Sequence, residues 1–252
     1  VNPAEARDGL SESSHRHLLL IGGQRCGTTW LQRVLGSHPD VRLPLIVRPE
    51  PKFLLVDDDH TNYDALFPPT GGSLLVDKST SYLEHADAAR RALRCVPDAA
   101  VIAVVRDPVE RAHSNWRFSV SNGIEALSFA QSLRDDSQSR DGDGFSTSPF
   151  QSLRRGMYAE LLAPWSDAFG SRLVVMQYER MTAPDGGIYI RERLGALGVA
   201  APTRWPVLPA VANASPTDSP LDDASREMLV EYYSEASSML REYGVDTSLW
   251  TG

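Results

Sequence analysis

Apolar residues in this chain gather into short unbroken runs, and between the runs they recur at helical spacing. The runs are Leu18–Ile21, Leu74–Asp77, Ala99–Val105 and Arg172–Gln177, with Val41–Leu45 as a further extended stretch. Unbroken apolar character, rather than alternation, marks strands covered on both faces, as in a parallel sheet between helices. Ala99–Val105 carries this character furthest and is the predicted central strand. Helical spacing predicts Thr28–Ser37, stopped by His38-Pro39-Asp40, then Asn62–Phe67 and Glu84–Arg94. Pro108 opens a further helix running to about Val120, near whose first turn a proline is tolerated. Phe150–Phe169 follows, with Tyr158, Leu161, Leu162, Trp165 and Phe169 at core spacing, and then Gly187–Leu197. Leu221–Tyr243 closes the pattern, with Asp222 and Asp223 suited to its N-terminus and Gly244 to its C-terminal cap.

Strand and helix alternate, which predicts an α/β fold: a doubly wound parallel sheet of about four to five strands flanked by helices. Residues 1–16 read as a flexible tail and 17–252 as one domain. Residues 121–148 read as a loop region rich in Ser, Asp, Gly and Arg, within which the particularly polar Asp135–Gly144 reads as a mobile loop or substrate-side insertion. Gly198–Pro220 is rich in proline and alanine and aperiodic, and no internal repeat is present.

Composition narrows the partners. With a net charge of −8 and a pI near 5.3, neither nucleic acid nor an anionic membrane is an expected partner. Any anionic ligand must be held by a local cluster of cations. Of the 25 basic residues only Lys52 and Lys78 are lysines. A chain that uses arginine almost everywhere places a compact ammonium where a planar guanidinium does not serve. The two cysteines, Cys26 and Cys95, do not form a disulfide framework and suit a reducing compartment. Val1–Arg16 lacks the apolar core of a signal peptide, so a soluble cytoplasmic protein is expected.

The candidate chemistry sits where strands end. Gly22-Gly-Gln-Arg-Cys-Gly-Thr-Thr-Trp30 joins the first strand to the first helix. Such a turn cradles phosphate-type anions with backbone N–H groups and a helix N-terminus. Gly22 and Gly27 keep Walker A spacing, but Thr28 stands in place of its lysine, Thr29 takes the Ser/Thr place, and Arg25 is the nearest cation. The expected fold is therefore P-loop-like, without the lysine that grips an ATP γ-phosphate. Glu50 lies between two prolines, flanked by Arg48 and Lys52; a carboxylate held stiffly among cations suits a base or an orienting group, and a solvated glutamate at a helix start fits the spacing equally. Lys78 ends the Leu74–Asp77 strand, at the edge where open α/β sheets bind ligands. Arg106 ends the central strand, and Ser114 on the following helix can face the same pocket. The functional edge thus collects residues 22–30, 78–82 and 106–114.

Taken together these segments resemble the PAPS-dependent sulfotransferases, most closely the carbohydrate and heparan sulfate type and its bacterial single-domain relatives. Gln24-Arg-Cys-Gly-Thr-Thr-Trp30 resembles the family's 5′-phosphosulfate loop, with Arg25 where lysine is usual. Val104-Val-Arg-Asp-Pro-Val-Glu-Arg-Ala-His-Ser114 resembles the 3′-phosphate motif. Asp77-Lys-Ser-Thr-Ser-Tyr82 resembles the lysine–serine segment near the sulfuryl group. Pro49-Glu-Pro-Lys-Phe53 resembles the segment that carries a catalytic glutamate, with proline in place of a lysine. Gly156-Met-Tyr158 and the Leu249–Trp250 tail are similar as well. The resemblance implies metal-free transfer of a sulfuryl group from 3′-phosphoadenosine 5′-phosphosulfate (PAPS) to a hydroxyl or amine of a small-molecule or carbohydrate-bearing acceptor. It implies Glu50 as base and Lys78 at the leaving oxygen. Arg25, Cys26, Gly27, Thr28, Thr29 and Trp30 would hold the phosphosulfate, and Arg106 and Ser114 the 3′-phosphate. Arg48, Lys52 and Tyr82 would stand on the acceptor side. The C-terminal cofactor loop departs from the heparan type, which has a Lys-Gly-Arg run where Asn213-Ala-Ser215 stands. Two other readings compete: a small-molecule kinase, which the missing Walker lysine disfavours, and a non-catalytic nucleotide-binding protein of the same fold, which Glu50 and Lys78 disfavour.

Overall fold

The computed structural model describes residues 16–47, 50–56, 62–136, 150–199 and 219–250. Among them five strands form one parallel sheet: β1 (His17–Gly22), β2 (Val41–Arg42), β3 (Leu74–Lys78), β4 (Ala100–Val105) and β5 (Leu173–Gln177), in the order β2-β3-β1-β4-β5. The described helices are α1 (Thr28–Gly36), α2 (Ala86–Cys95), α3 (Pro108–Ser121), α4 (Phe129–Asp136), α5 (Tyr158–Phe169), α6 (Tyr178–Thr182), α7 (Gly186–Ala196) and α8 (Asp223–Met239). The doubly wound parallel sheet expected from the pattern is the observed fold, at the upper end of the expected strand number.

The register explains the unbroken apolar runs. Leu20 of β1 lies opposite Lys78 on one side and Ile102 on the other, and Gly22 lies opposite Val104. Leu18–Ile21 and every residue of β4 have no exposed surface. Each fully buried Leu, Ile or Val side chain contributes roughly 1.5–3 kcal/mol, so these two strands anchor the core. From β1 the chain crosses to β2 on one side, and from β4 to β5 on the other. The crevice between the C-terminal ends of β1 and β4 is therefore the topological switch point, where such sheets bind ligands.

Several boundaries differ from the sequence pattern. Val41–Leu45 contributes only the two-residue strand β2. Asn62–Phe67 is a 3₁₀ turn over Tyr63–Leu66, and Glu84–Arg94 starts as α2 only at Ala86 because Thr80–Glu84 forms its own 3₁₀ turn. Phe150–Phe169 becomes helical only from Tyr158. Ahead of it Arg154–Gly156 forms a 3₁₀ turn, where a Cβ on Gly156 would meet the Tyr233 ring at 2.5 Å and the Tyr233 hydroxyl donates to the Leu153 carbonyl at 2.9 Å. The polar stretch 121–148 is not all loop, since α4 lies within it. Ser128 and Gln131 cap that helix: the Gln131 carbonyl accepts from the Ser128 N–H (3.1 Å) and hydroxyl (2.8 Å), while Phe129 and Leu133 bury beside Val109 and Ala112. Residues 137–149 and 200–218 lie outside the described residues, as do 1–15.

At the far end Asp222 caps α8 by accepting from Ser225 N–H at 2.8 Å, and Gly244 adopts φ +72 after the closing 3₁₀ turn Leu240–Tyr243, as its sequence implies. The C-terminal segment is tied to the sheet: Gln177 exchanges two hydrogen bonds with the Asp246 backbone, and the Trp250 indole donates to Glu179. Among the described residues no helix is long and apolar enough to cross a membrane.

Candidate functional site

The turn after β1 is tight for a reason visible in its glycines. Gly22 sits at φ +147, and a Cβ there would lie 2.5 Å from the Val104 carbonyl oxygen. Gly27 sits at φ +88, with the Tyr178 ring 2.7 Å from where its Cβ would be. Between them Gly23 N–H donates to Val104 O (3.2 Å) and Cys26 N–H to Gly23 O (3.2 Å). Gly27 caps α1 with no side-chain hydrogen bond, which leaves the first-turn N–H groups to whatever occupies the cavity beside them. Backbone passing this close to open space, with no side chain in the way, is the geometry of an anion cradle.

Arg25 and Lys52 are the non-glycine residues at positive φ among those described, at +73 and +53, and both line that cavity. Left-handed backbone in such residues costs free energy and clusters where a site needs it. Arg25 Nε donates to Ser114 Oγ at 3.2 Å, and its guanidinium lies 4.9 Å over the Phe118 ring. Arg106, at the tip of β4, donates to the Arg25 carbonyl at 3.3 Å and lies 4.8 Å over the Tyr178 ring. Arg117, one helical turn beyond Ser114, also lines the cavity. Burial, and then the charges of Arg106 and Arg117, push the Arg25 pKa down from its usual value. Guanidinium groups crowded to that degree create a field that favours an anion.

Across the cavity Lys78 and Glu50 form an ion pair, Nζ to Oε1 2.6 Å, with the lysine side chain 5% and the glutamate 19% exposed. Thr80 holds the other carboxylate oxygen, donating its N–H at 2.8 Å and its hydroxyl at 3.0 Å. Lys78 Nζ also donates to Thr29 Oγ1 at 3.2 Å, which joins this pair to the first turn of α1. Thr80 thus fills both hydrogen-bonding directions of Oε2, while Oε1, held by Lys78, keeps one, and Glu50 lies on the cavity wall. The cavity encloses about 580 Å³, and the glycine turn, Arg106, Ser114, Glu50 and Lys52 all open onto it.

Three of the residues named from sequence do not line the cavity. Lys78, with its side chain 5% exposed, lies just behind the wall and reaches Glu50 and Thr29, which do line it. Cys26 is fully buried, its thiol pushed up to about 11 by burial and set 3.4 Å from the Tyr158 hydroxyl, so it packs the underside of the turn. Tyr82 is also fully buried, with its hydroxyl donating to Asp77 at 2.9 Å, so its side chain stands behind the acceptor side rather than on it. Trp30 is 6% exposed and does line the cavity. Arg48 and Asn213 lie outside the described residues.

Thr80 falls within the expected 78–82 edge but had no role of its own, and the pattern left out Arg117, Phe118, Tyr178 and Thr182. Two of them were within reach of simple rules. Arg117 follows Ser114 by three residues, on the same helical face. Tyr178 follows directly on β5, at the same sheet edge as Lys78 and Arg106.

A parallel sheet with a glycine turn at its switch point, and arginines gathered around it, defines a P-loop-like α/β protein with a cleft suited to an anion. Residues 47–187 match the family described as the sulfotransferase family. The chain belongs to that family. Mouse heparan sulfate glucosamine 3-O-sulfotransferase 3A1 is 31% identical over 197 residues, 73% of this chain and 48% of that protein. Mouse heparan sulfate glucosamine 3-O-sulfotransferase 6 is 31% identical over 178 residues, 67% of this chain and 48% of that protein. The chain thus spans about half the length of these curated relatives. A crystal structure of a sulfotransferase from Alicyclobacillus acidocaldarius shares the fold, with a TM-score of 0.71 over 92% of this chain and 97% of that one, at 24% identity.

Proposed function

We propose that this protein transfers a sulfuryl group from PAPS to a hydroxyl or amine of a small-molecule or carbohydrate-bearing acceptor, a natural product among them. The observation that carries the reading is that Glu50, paired with Lys78 just behind the wall, and the Arg25–Ser114–Arg106 cluster open onto one cavity beside the glycine turn. PAPS carries an activated sulfuryl group at its 5′ end and a phosphate at its 3′ position. The turn, Thr28, Thr29 and Arg25 suit the first anion. Arg106 and Ser114 suit the second, which would favour PAPS over ATP.

The chain's own groups supply the remaining chemistry. Glu50 takes the acceptor proton on a free direction of its carboxylate as the acceptor-oxygen-to-sulfur bond forms in line with the breaking one. Lys78, already within reach of Thr29, neutralises the charge developing on the departing oxygen, as fixed cations do in phosphoryl transfer. Thr80 keeps Glu50 oriented. The relatives named for heparan sulfate point to carbohydrate acceptors. A net charge of −8 instead favours acceptors smaller than a long polyanionic chain.

The test is a mass-spectrometric screen of acceptors with PAPS, expecting a gain of about 80 Da, the mass of the added SO₃, and none with ATP as donor. Glu50→Gln should lower turnover roughly 10²–10⁴-fold while binding of adenosine 3′,5′-bisphosphate stays near normal. Wild-type turnover in that variant removes Glu50 from the base role.

A further inference from the structure

Behind the Glu50–Lys78 pair lies a buried carboxylate with no part in the chemistry described so far. Asp77 and Lys78 are successive residues at the end of β3, so their side chains leave opposite faces of the strand. Lys78 meets Glu50; Asp77 is fully buried on the other side. Its Oδ2 accepts from the Tyr63 hydroxyl at 2.8 Å and the Tyr82 hydroxyl at 2.9 Å, and its Oδ1 from Ser79 Oγ at 3.4 Å. Two of these donors are in turn acceptors for the segment that carries Glu50. Ser79 Oγ accepts from Lys52 N–H at 3.2 Å, and the Tyr82 hydroxyl from Leu54 N–H at 3.3 Å. The third, Tyr63, presents its ring edge-on to Phe53, with centroids 5.5 Å apart. Residues 52, 53 and 54 therefore each rest on a side chain that Asp77 orients, and Lys52 holds the left-handed conformation such support stabilises.

We propose that Asp77 is a positioning residue that sets Glu50 in register with Lys78, acting through Ser79, Tyr82 and Tyr63; this rests on the sulfuryl-transfer reading above. A hydroxyl can point its proton in several directions. A single buried acceptor fixes all three, and leaves the lone pairs of Ser79 and Tyr82 facing the amides of 52 and 54. Tyr82, expected on the acceptor side from sequence, is a strut of this frame. Removing the acceptor frees the struts, and a displacement on the order of 1 Å at a reacting group costs up to about 10²-fold in rate.

The experiment compares Asp77→Ala with Asp77→Asn, whose amide keeps an acceptor for the two tyrosines and gives Ser79 a donor. Three quantities are read: hydrogen exchange at the amides of 52 and 54, affinity for adenosine 3′,5′-bisphosphate by calorimetry, and the rate of inorganic sulfate release from PAPS with water as acceptor. Asp77→Ala should speed exchange at both amides and lower the rate about 10- to 100-fold, with bisphosphate affinity within about twofold of wild type. Asp77→Asn should restore most of the rate and the protection. In a Glu50→Gln background Asp77→Ala should cost little further rate, because the group it positions is already gone. Should Asp77→Ala fail to fold, Tyr82→Phe and Ser79→Ala remove one strut each and are read the same way. Unchanged amide protection, a parallel loss of bisphosphate affinity, or an equal rate loss with and without Glu50 overturns the proposal. A wild type that consumes no PAPS would overturn the sulfuryl-transfer reading instead, and the exchange measurement would still decide whether Asp77 holds the Glu50 segment.

Discussion

Arg106 ends a strand with no exposed surface, and nothing in the packing of that strand calls for a guanidinium at its tip. Its contacts are with the Arg25 carbonyl, the Tyr178 ring and, at 3.9 Å, Glu110. Each of these orients the group toward the cavity and leaves donors for an anion. Arg106→Ala should weaken binding of adenosine 3′,5′-bisphosphate by about 2–5 kcal/mol if its partner phosphate is desolvated. Calorimetry reads this directly, and an unchanged dissociation constant would place the 3′-phosphate elsewhere. Ser114→Ala, which removes one neutral partner of Arg25, should cost less, about 0.5–1.5 kcal/mol. At this scale the chain spells out identity but not company. Glu50 and Lys78 stand 28 positions apart, and their 2.6 Å contact follows only once the segment carrying Glu50 packs against the end of β3.

Between β1 and α1 the element scale decides whether an anion can approach. The turn depends on glycine at 22 and 27 because Val104 and Tyr178 fill the space a Cβ would need. Gly27→Ala forces both a left-handed alanine and a clash with the Tyr178 ring. Backbone strain of this kind costs on the order of 1–3 kcal/mol, so the variant should lose both thermal stability and bisphosphate affinity. A melting curve and a binding isotherm, each identical to wild type, would show that the turn is not the cradle. The turn itself is legible because glycine spacing after an apolar run has few other uses. Helix α4 was missed although Ser128-x-x-Gln131 and the Phe129, Leu133 pair were present, because the polar composition around them outweighed one capping box. Helix α5 begins eight residues later than the pattern implies, after a turn whose Gly156 and Leu153 carbonyl both meet Tyr233, 77 positions beyond Gly156, a contact that no local pattern carries.

For the whole molecule two buried acids contribute to the response to pH. Burial pushes both Asp77 and Asp107 from the usual carboxylate range to about 6, and for Asp77 the nearby Glu50 charge adds to that while Tyr63, Tyr82 and Ser79 work against it. Between about pH 4 and 6 the folded protein holds protons that the unfolded chain has released, so stability from these groups falls as pH rises through that window. At pH 7 both charges are buried at a cost. The wild type should therefore lose roughly 3 kcal/mol relative to Asp77→Asn between pH 4 and 7, counting about two pKa units for Asp77 alone. Urea unfolding of both proteins across that range measures the difference, in which the exposed acids cancel. A flat difference would mean that Asp77 titrates normally in the folded state.

The sequence by itself determined the sheet, the glycine turn, and which cations and carboxylate end its strands. Those features depend on local backbone geometry and on a periodicity that survives any tertiary arrangement. The tertiary structure decided which of those groups meet. It sent Cys26 and Tyr82 behind the cavity wall, brought Arg117 and Tyr178 to the cavity, and gave Thr80 to Glu50. It also placed a buried aspartate under the segment carrying the proposed base. The physical reason is that strand register and the face from which a side chain leaves are fixed by packing between segments far apart in the chain.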